Sequence, residues 1–229
     1  MKNRNKLRPL WILLSVAAGM AAILVLLASL GVFRSYRYDE SGFGIGGGTV
    51  EGTIRRIEID WLCGPVQVEI TEDDRYPSVS EYASDELRER DRLRMKLDED
   101  GKLTVMACAS ADFLPRSQKI KLLVVRIPAA MAADVVRLSV RVREGAVQTE
   151  LDLLPQETEI RADAGGEIRL TVPEDAGFTL RCEGMDAPPV GTGLTGQDDV
   201  YIRLDGGKKL TVRGKRRAEL IIYTKSPAE

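Results

Sequence analysis

The stretch Arg56-Ile57-Glu58-Ile59-Asp60-Trp61-Leu62-Cys63-Gly64-Pro65-Val66-Gln67-Val68-Glu69-Ile70 decides how this chain folds. Ile57, Ile59 and Trp61 alternate with Glu58 and Asp60, and beyond Gly64-Pro65 the alternation resumes, with Val66, Val68 and Ile70 set against Gln67 and Glu69. A period of two is that of a strand with one face in a core and the other in water. The repeating unit is therefore strand, glycine turn, strand.

The same alternation recurs outward from this stretch, in Leu93-Met95-Leu97, Leu103-Val105, Ile120-Leu122-Val124, Val136-Leu138-Val140-Val142, Val147-Thr149-Leu151 and Ile168-Leu170-Val172. Val200-Ile202-Leu204, Leu210-Val212 and Leu220-Ile222 complete the series, and no long helical stripe competes with it. The charged segment from Ser84 to Arg92 reads as a solvated helical turn or loop between two strands. Turn signals stand at Glu144-Gly145, Gly165-Gly166, Glu183-Gly184 and Asp205-Gly206, the first glycine of each lying 20, 19 and 22 residues after the one before. A glycine turn about every 20 residues predicts a stacked β-solenoid, each coil burying the apolar face of its neighbour. An antiparallel β-sandwich is the alternative, kept open by the hairpin signal Asp98-Glu99-Asp100-Gly101.

Ahead of this all-β region, Leu10 to Phe33 is a run of 24 residues without a charge. At about 1.5 Å per residue it reaches roughly 36 Å, enough to cross a hydrocarbon core of roughly 30 Å as one transmembrane helix. Lys2, Arg4, Lys6 and Arg8 precede it, against only Arg34 and Arg37 behind it. The positive-inside tendency then puts the N-terminus in the cytoplasm and the body outside the cell membrane. A cleaved signal peptide is the competing reading, but the run exceeds a signal h-region and Ala28-Ser29-Leu30-Gly31 matches a cleavage site poorly. The expected organisation is a cytoplasmic N-terminus (1–9), a transmembrane anchor (10–33), a Gly-rich tether (34–52), an extracytoplasmic β domain (53–225) and a short tail (226–229). Ser15, Ala18, Gly19 and Ala22 put small residues four apart on one face of the anchor, a candidate helix-pairing face. Oligomeric state stays open.

Composition excludes several function classes. The chain carries 33 Lys+Arg and 35 Asp+Glu; residues 1–38 hold six of the former and none of the latter, leaving 27 against 35 in the remainder, a net of -8. That balance argues against nucleic acid as a partner. Gly42, Gly44 and Gly47 formally satisfy GxGxxG, but no strand precedes them as a dinucleotide site requires. Cys63, Cys108 and Cys182 are far apart and there is no His, so neither a zinc site nor a disulfide framework is written in the spacing. These cysteines read as small buried residues; one disulfide stays open, its pair unspecified.

Absence of His also removes the commonest general base. Carboxylates remain, in Glu72-Asp73-Asp74, Asp98-Glu99-Asp100 and Asp198-Asp199, yet each cluster falls where a strand should end, and Asp in turns needs no catalytic explanation. A glycosidase pair or a calcium site at Asp98 and Asp100 is weighed and not adopted. The expectation is a protein that is not an enzyme and takes no cofactor or metal. Lys208, Lys209, Arg213, Lys215, Arg216 and Arg217 form a basic run in an acidic body, a candidate contact for polyanion. Asp198, Asp199 and Asp205 lie nearby to neutralise it.

The chain resembles the putative-adhesin domain of unknown function found in bacterial envelope proteins, LiaG-like ones included. The likeness covers roughly residues 53 to 225. It rests on Ile57-Glu58-Ile59 leading into Gly64-Pro65-Val66-Gln67-Val68, on Lys102-Leu103-Thr104-Val105, and on Val125-Arg126-Ile127-Pro128. Leu138-Ser139-Val140 running into Glu144-Gly145-Ala146-Val147, and Gly166-Glu167-Ile168, complete it. The family's usual Ser-Gly-Asp turn is replaced here by Cys63-Gly64-Pro65 and Glu144-Gly145-Ala146. The resemblance implies a right-handed β-helix-like head on a membrane or secretion signal, without an agreed biochemical activity. The anchor, the Gly tether, the ladder of short strands and the missing catalytic set lead to the expectation of an adhesin-like or envelope-associated module that acts by surface binding, with cell-wall polymer or a membrane protein as partner. An accessory or regulator of an envelope-stress system is the alternative role, and a carbohydrate-active enzyme a distant second.

Overall fold

A computed structural model of the chain describes residues 44–84, 86–108 and 120–226. Period-two alternation becomes strands throughout. They are β1 (Gly44–Ile45), β2 (Gly48–Thr49), β3 (Arg56–Trp61), β4 (Val66–Thr71), β5 (Ser78–Ala83), β6 (Arg94–Leu97), β7 (Lys102–Met106), β8 (Lys121–Pro128) and β9 (Arg137–Val142). β10 (Val147–Leu151), β11 (Glu157–Ala162), β12 (Glu167–Pro173), β13 (Phe178–Glu183), β14 (Val190–Gly191), β15 (Leu194–Gln197), β16 (Val200–Arg203), β17 (Lys208–Arg213) and β18 (Glu219–Lys225) follow. Helical structure among the described residues is confined to a 3-10 turn at Glu89–Asp91, inside the segment expected as a solvated turn, and one short helix at Ala129–Ala132.

Two mixed sheets result, of ten and eight strands. The first runs β1-β6-β7-β3-β9-β11-β17-β13-β16-β15; the second, taken from the same end, runs β2-β5-β8-β4-β10-β12-β18-β14. Within them β7-β3-β9-β11-β17-β13 and β8-β4-β10-β12-β18-β14 are parallel ladders, and antiparallel pairs lie only toward the edges. Each consecutive pair (β3 with β4, β9 with β10, and so on) places one strand in either sheet, so the pairs stack as coils. Two facing sheets are what a sandwich would give, and parallel central ladders are what a solenoid would give. The two-sheet arrangement of the sandwich alternative is present, while its antiparallel pairing is confined to the edges.

The coils do not stack in chain order. The β7/β8 coil lies outside β3/β4, and the last coil, β17/β18, is inserted between β11/β12 and β13/β14. The C-terminal coil is therefore flanked on both sides instead of ending the stack. This explains one glycine that the sequence misplaces. Gly145, Gly166 and Gly184 do mark coil corners, but Gly206 closes a turn between β16 and β17 within one sheet, at φ +67. The corner of the last coil is at Gly214, whose N–H donates to the Glu183 carbonyl of the next coil at 3.0 Å.

Side chains from both sheets meet in one core. Trp61, Val66, Leu123, Leu138, Ile160, Leu170, Phe178, Leu210 and Leu220 are buried to 1% exposure or less. Burying such side chains is worth roughly 1.5–3 kcal/mol each, enough to outweigh the weak intrinsic preferences of short strands. β1, β2, β5, β11, β14 and β15 escaped the sequence reading, β5 and β11 for a visible reason. β11 points Thr158, Ile160 and Ala162 inward and β5 buries only Val79, so neither shows a strong apolar period.

The tether also needs correction. Residues 44–49, expected as part of it, form β1 on β6 and β2 on β5, and Val50 is buried. Gly47 is required by contact and not by flexibility, since a Cβ there would stand 2.2 Å from the Val79 carbonyl oxygen. Among the described residues no helix is long and apolar enough to cross a membrane. The run 10–33, with Ser15, Ala18, Gly19 and Ala22, lies outside the described residues, as do residues 1–9 and 227–229.

Candidate functional site

Because the parallel ladders are in register, outward residues of the ten-stranded sheet line up in rows across the strands. One row is Arg56, Arg137, Glu157 and Lys209; the next is Glu58, Ser139, Glu159, Thr211 and Arg181. The third is Asp60, Arg141, Arg161, Arg213 and Glu183. Neighbouring strands lie about 4.8 Å apart, so three arginines stand side by side on β9, β11 and β17. Like charges at that spacing repel, and acids offset them. Asp163 accepts from Arg141 Nε at 2.6 Å and from Arg161 Nε at 2.8 Å. Arg213 meets Glu159 at 3.3 Å and Glu183 at 3.0 Å. Burial works to raise the Asp163 carboxyl, but the hydrogen bonds from Arg141 and Arg161 outweigh it and hold the group below the usual carboxylate range.

This face recasts the predicted basic run. Lys208, Lys209 and Arg213 lie on β17, but only Lys209 and Arg213 join the rows; Lys208 is in phase with the buried Leu210 and Val212, and Lys215, Arg216 and Arg217 follow in the corner. Lys209 reaches Glu157 at 3.9 Å, and Arg216 donates to Asp186 at 2.8 Å. The neutralising acids are thus on β11, β13 and the Asp186 corner, not Asp198, Asp199 or Asp205. Arg141 and Arg161 escaped sequence reading because the cluster forms across strands 20 residues apart in the chain. A signal existed, since each directly follows a buried residue, Val140 or Ile160, and stands four places before a glycine of the turn, Gly145 or Gly165.

The acidic clusters go to local structure. Asp98 Oδ1 accepts the N–H groups of Asp100 at 3.0 Å and Lys102 at 2.8 Å, which shapes the β6–β7 turn, and Asp199 accepts the Cys182 N–H through its carbonyl at 2.9 Å. Glu72, Asp73 and Asp74 are exposed beyond β4. Among the described residues no group of three or more His, Cys, Asp or Glu could hold a metal ion.

At the opposite end a buried ion pair stands out. Lys121 Nζ donates to Glu81 Oε2 at 2.6 Å, to the Asp91 carbonyl at 2.8 Å and to the Ala107 carbonyl at 2.5 Å, and lies 4.9 Å from the Trp61 ring centroid. Glu81 Oε1 accepts the Leu93 N–H at 2.8 Å. The two side chains are only 6% and 7% exposed. A shallow cleft of about 430 Å³ beside them is lined by Ile45, Gly46, Gly47, Glu81, Tyr82, Ala83, Leu87 and Arg92. With every Lys121 donor occupied, the pair pins β5, β7 and β8 together and does not present a reactive amine.

All three cysteines are thiols. Cys182 is buried, and burial, then Asp199, push its thiol up to about 11. Burial likewise raises the Cys63 thiol, with Glu144 adding to the effect and Lys121 opposing it.

No protein-family profile matches the sequence, and no curated protein does. In fold the chain is similar to the crystal structure of a putative cell adhesion protein from Clostridium sporogenes ATCC 15579, with a TM-score of 0.51 at 11% identity, covering 80% of this chain and 100% of that one. At that identity the likeness is one of fold: nearly all β, in two mixed sheets.

Proposed function

We propose that the chain is a membrane-tethered extracytoplasmic head of right-handed β-solenoid type that works by surface contact with an extended anionic polymer of the cell envelope, without catalysis. The observation that carries this reading is the outer face of the ten-stranded sheet. In-register strands repeat charged and hydroxyl side chains about every 4.8 Å along it, which suits a long repetitive partner better than a small molecule. The uncharged run 10–33 supplies the anchor, and the basic residues before it place the head outside. The resemblance to LiaG-like adhesin domains and the adhesion role suggested for the similar Clostridium structure agree with a contact role.

The test uses the full-length chain reconstituted in neutral lipid vesicles and mixed with insoluble cell-wall polymer. Vesicles should sediment with the polymer at low salt and release as ionic strength rises. Vesicles left in the supernatant at low salt would remove the support for a contact role. The small residues Ser15, Ala18, Gly19 and Ala22 favour a second reading, a regulator that pairs with a membrane partner through its helix. Function that survives replacing residues 10–33 with an unrelated membrane helix would sink that reading.

A further inference from the structure

We propose that Cys63 and Cys108 form an intramolecular disulfide that locks the outlying β7/β8 coil to the β3/β4 coil. Neither spacing nor alternation in the sequence pairs them; the topology does. β3 and β7 are parallel neighbours with Asp60 opposite Met106, and the ladder continues one step further, the Ala107 N–H donating to the Asp60 carbonyl at 3.0 Å. Extending that register sets Leu62 opposite Cys108, so Cys63 and Cys108 are diagonal neighbours across two adjacent strand ends.

With strands about 4.8 Å apart and a rise of about 3.3 Å, diagonal neighbours have Cα atoms about 6 Å apart, inside the roughly 4.4–6.8 Å that a disulfide spans. Strict alternation would aim the two side chains to opposite faces. Both residues, however, lie in bends beyond the strand ends, where alternation no longer applies. Lys121 ties the two bends together, its backbone N–H donating to the Cys63 carbonyl at 3.5 Å and its ammonium to the Ala107 carbonyl at 2.5 Å. The charge of a Cys108 thiolate acts on the Cys63 thiol and raises it, after the larger effects of burial, Glu144 and Lys121.

Exposure orders the chemistry. Cys108 is half-exposed while Cys63 is 7% exposed, so an external disulfide meets Cys108 first. The Cys108 thiolate attacks that disulfide, RSSR, forming a Cys108–S–S–R mixed disulfide and releasing one RSH. Cys63, having given up its proton, then attacks the Cys108 sulfur, forms Cys63–S–S–Cys108 and expels the second RSH. The protein loses two thiols and RSSR gains two hydrogens, so the exchange balances. Cys182, on β13 at the far side of the stack, takes no part.

The experiment treats the full-length chain, in mild detergent, with glutathione disulfide, then quenches with acid, blocks remaining thiols with N-ethylmaleimide and digests with trypsin. The three cysteines fall in separate peptides, 57–75, 103–116 and 182–203. Expected are a non-reduced cross-link between 57–75 and 103–116, its loss in Cys108→Ser, and N-ethylmaleimide on 182–203. The thermal midpoint should rise by roughly 5–15 °C on oxidation and fall back with dithiothreitol. Three separately blocked peptides, a glutathione adduct that persists on 103–116, or a bond involving 182–203 would overturn the proposal.

Discussion

Replacing Lys121 with Met tests how the edge of the stack is held. The substitution keeps most of the aliphatic stem and removes the ammonium, leaving Glu81 in a site where its side chain is 7% exposed. Breaking one partner out of a buried pair costs about 3–5 kcal/mol, because the remaining charge has lost both water and its counter-ion. The carbonyls of Asp91 and Ala107 lose a donor as well, and the Trp61 ring loses its cation. For a chain of this size each kcal/mol moves the thermal midpoint about 2–4 °C, so the expected fall is about 6–20 °C. Adding Glu81→Gln removes the stranded charge while leaving an oxygen for the Leu93 N–H, and the double variant should recover about 2 kcal/mol of the loss. Trp11 and Trp61 are the only tryptophans in the chain, so urea titration in a Trp11→Phe background reads the core through Trp61 fluorescence. A Lys121→Met cost below about 1 kcal/mol would refute the reasoning, since that is the range of an exposed pair.

Other positions give smaller and contrasting expectations in the same assay. Gly64→Ala should cost about 2–4 kcal/mol, because φ is +103 and a Cβ would stand 2.3 Å from the Lys121 carbonyl oxygen. Gly145→Ala, at φ +78 with nothing within 4 Å, should cost only about 1 kcal/mol. Thr149→Val should be neutral or stabilise by about 1 kcal/mol, because its hydroxyl is buried with no hydrogen-bond partner among the described residues. Asp163→Asn should cost about 1 kcal/mol at neutral pH. The folded-state value of Asp163 is depressed, so its contribution is present above the unfolded carboxylate value and is lost as pH falls through the lower folded one. Wild type and Asp163→Asn should therefore converge in urea titrations only below the ordinary carboxylate range, once the depressed Asp163 carboxyl is protonated in the folded chain.

Strand chemistry was legible where apolar side chains alternate cleanly, as from Ile57 to Ile70, and the glycines at Gly145, Gly166 and Gly184 marked real crossings from one sheet to the other. What the sequence could not show is the order of stacking. Nothing local to β17 and β18 says that they insert between two earlier coils, because that choice is made by which apolar faces fit, after the strands exist. Gly206 misled for the same reason: its spacing mimics a coil corner while its φ of +67 serves a turn within one sheet. The charged outer face of the ten-stranded sheet was half visible. Lys209 and Arg213 were found as a run, whereas Arg141 and Arg161 join them only through parallel register, and the neutralising Glu157, Glu159 and Asp163 come with the same strands. The Cys63–Cys108 neighbourhood was invisible for want of that register.

The central claim is that the outer face of the ten-stranded sheet makes the contact. It is tested most directly by comparing retention on insoluble cell-wall polymer of vesicles carrying the wild-type full-length chain, Arg141→Gln/Arg161→Gln/Arg213→Gln, and Arg126→Gln/Arg169→Gln on the opposite sheet, each confirmed folded by its thermal midpoint. The contact account predicts that the first set lowers retention about tenfold, the loss of roughly 1.4 kcal/mol of binding, and that the second leaves it unchanged. Equal retention by all three, or equal loss from both faces, would contradict it.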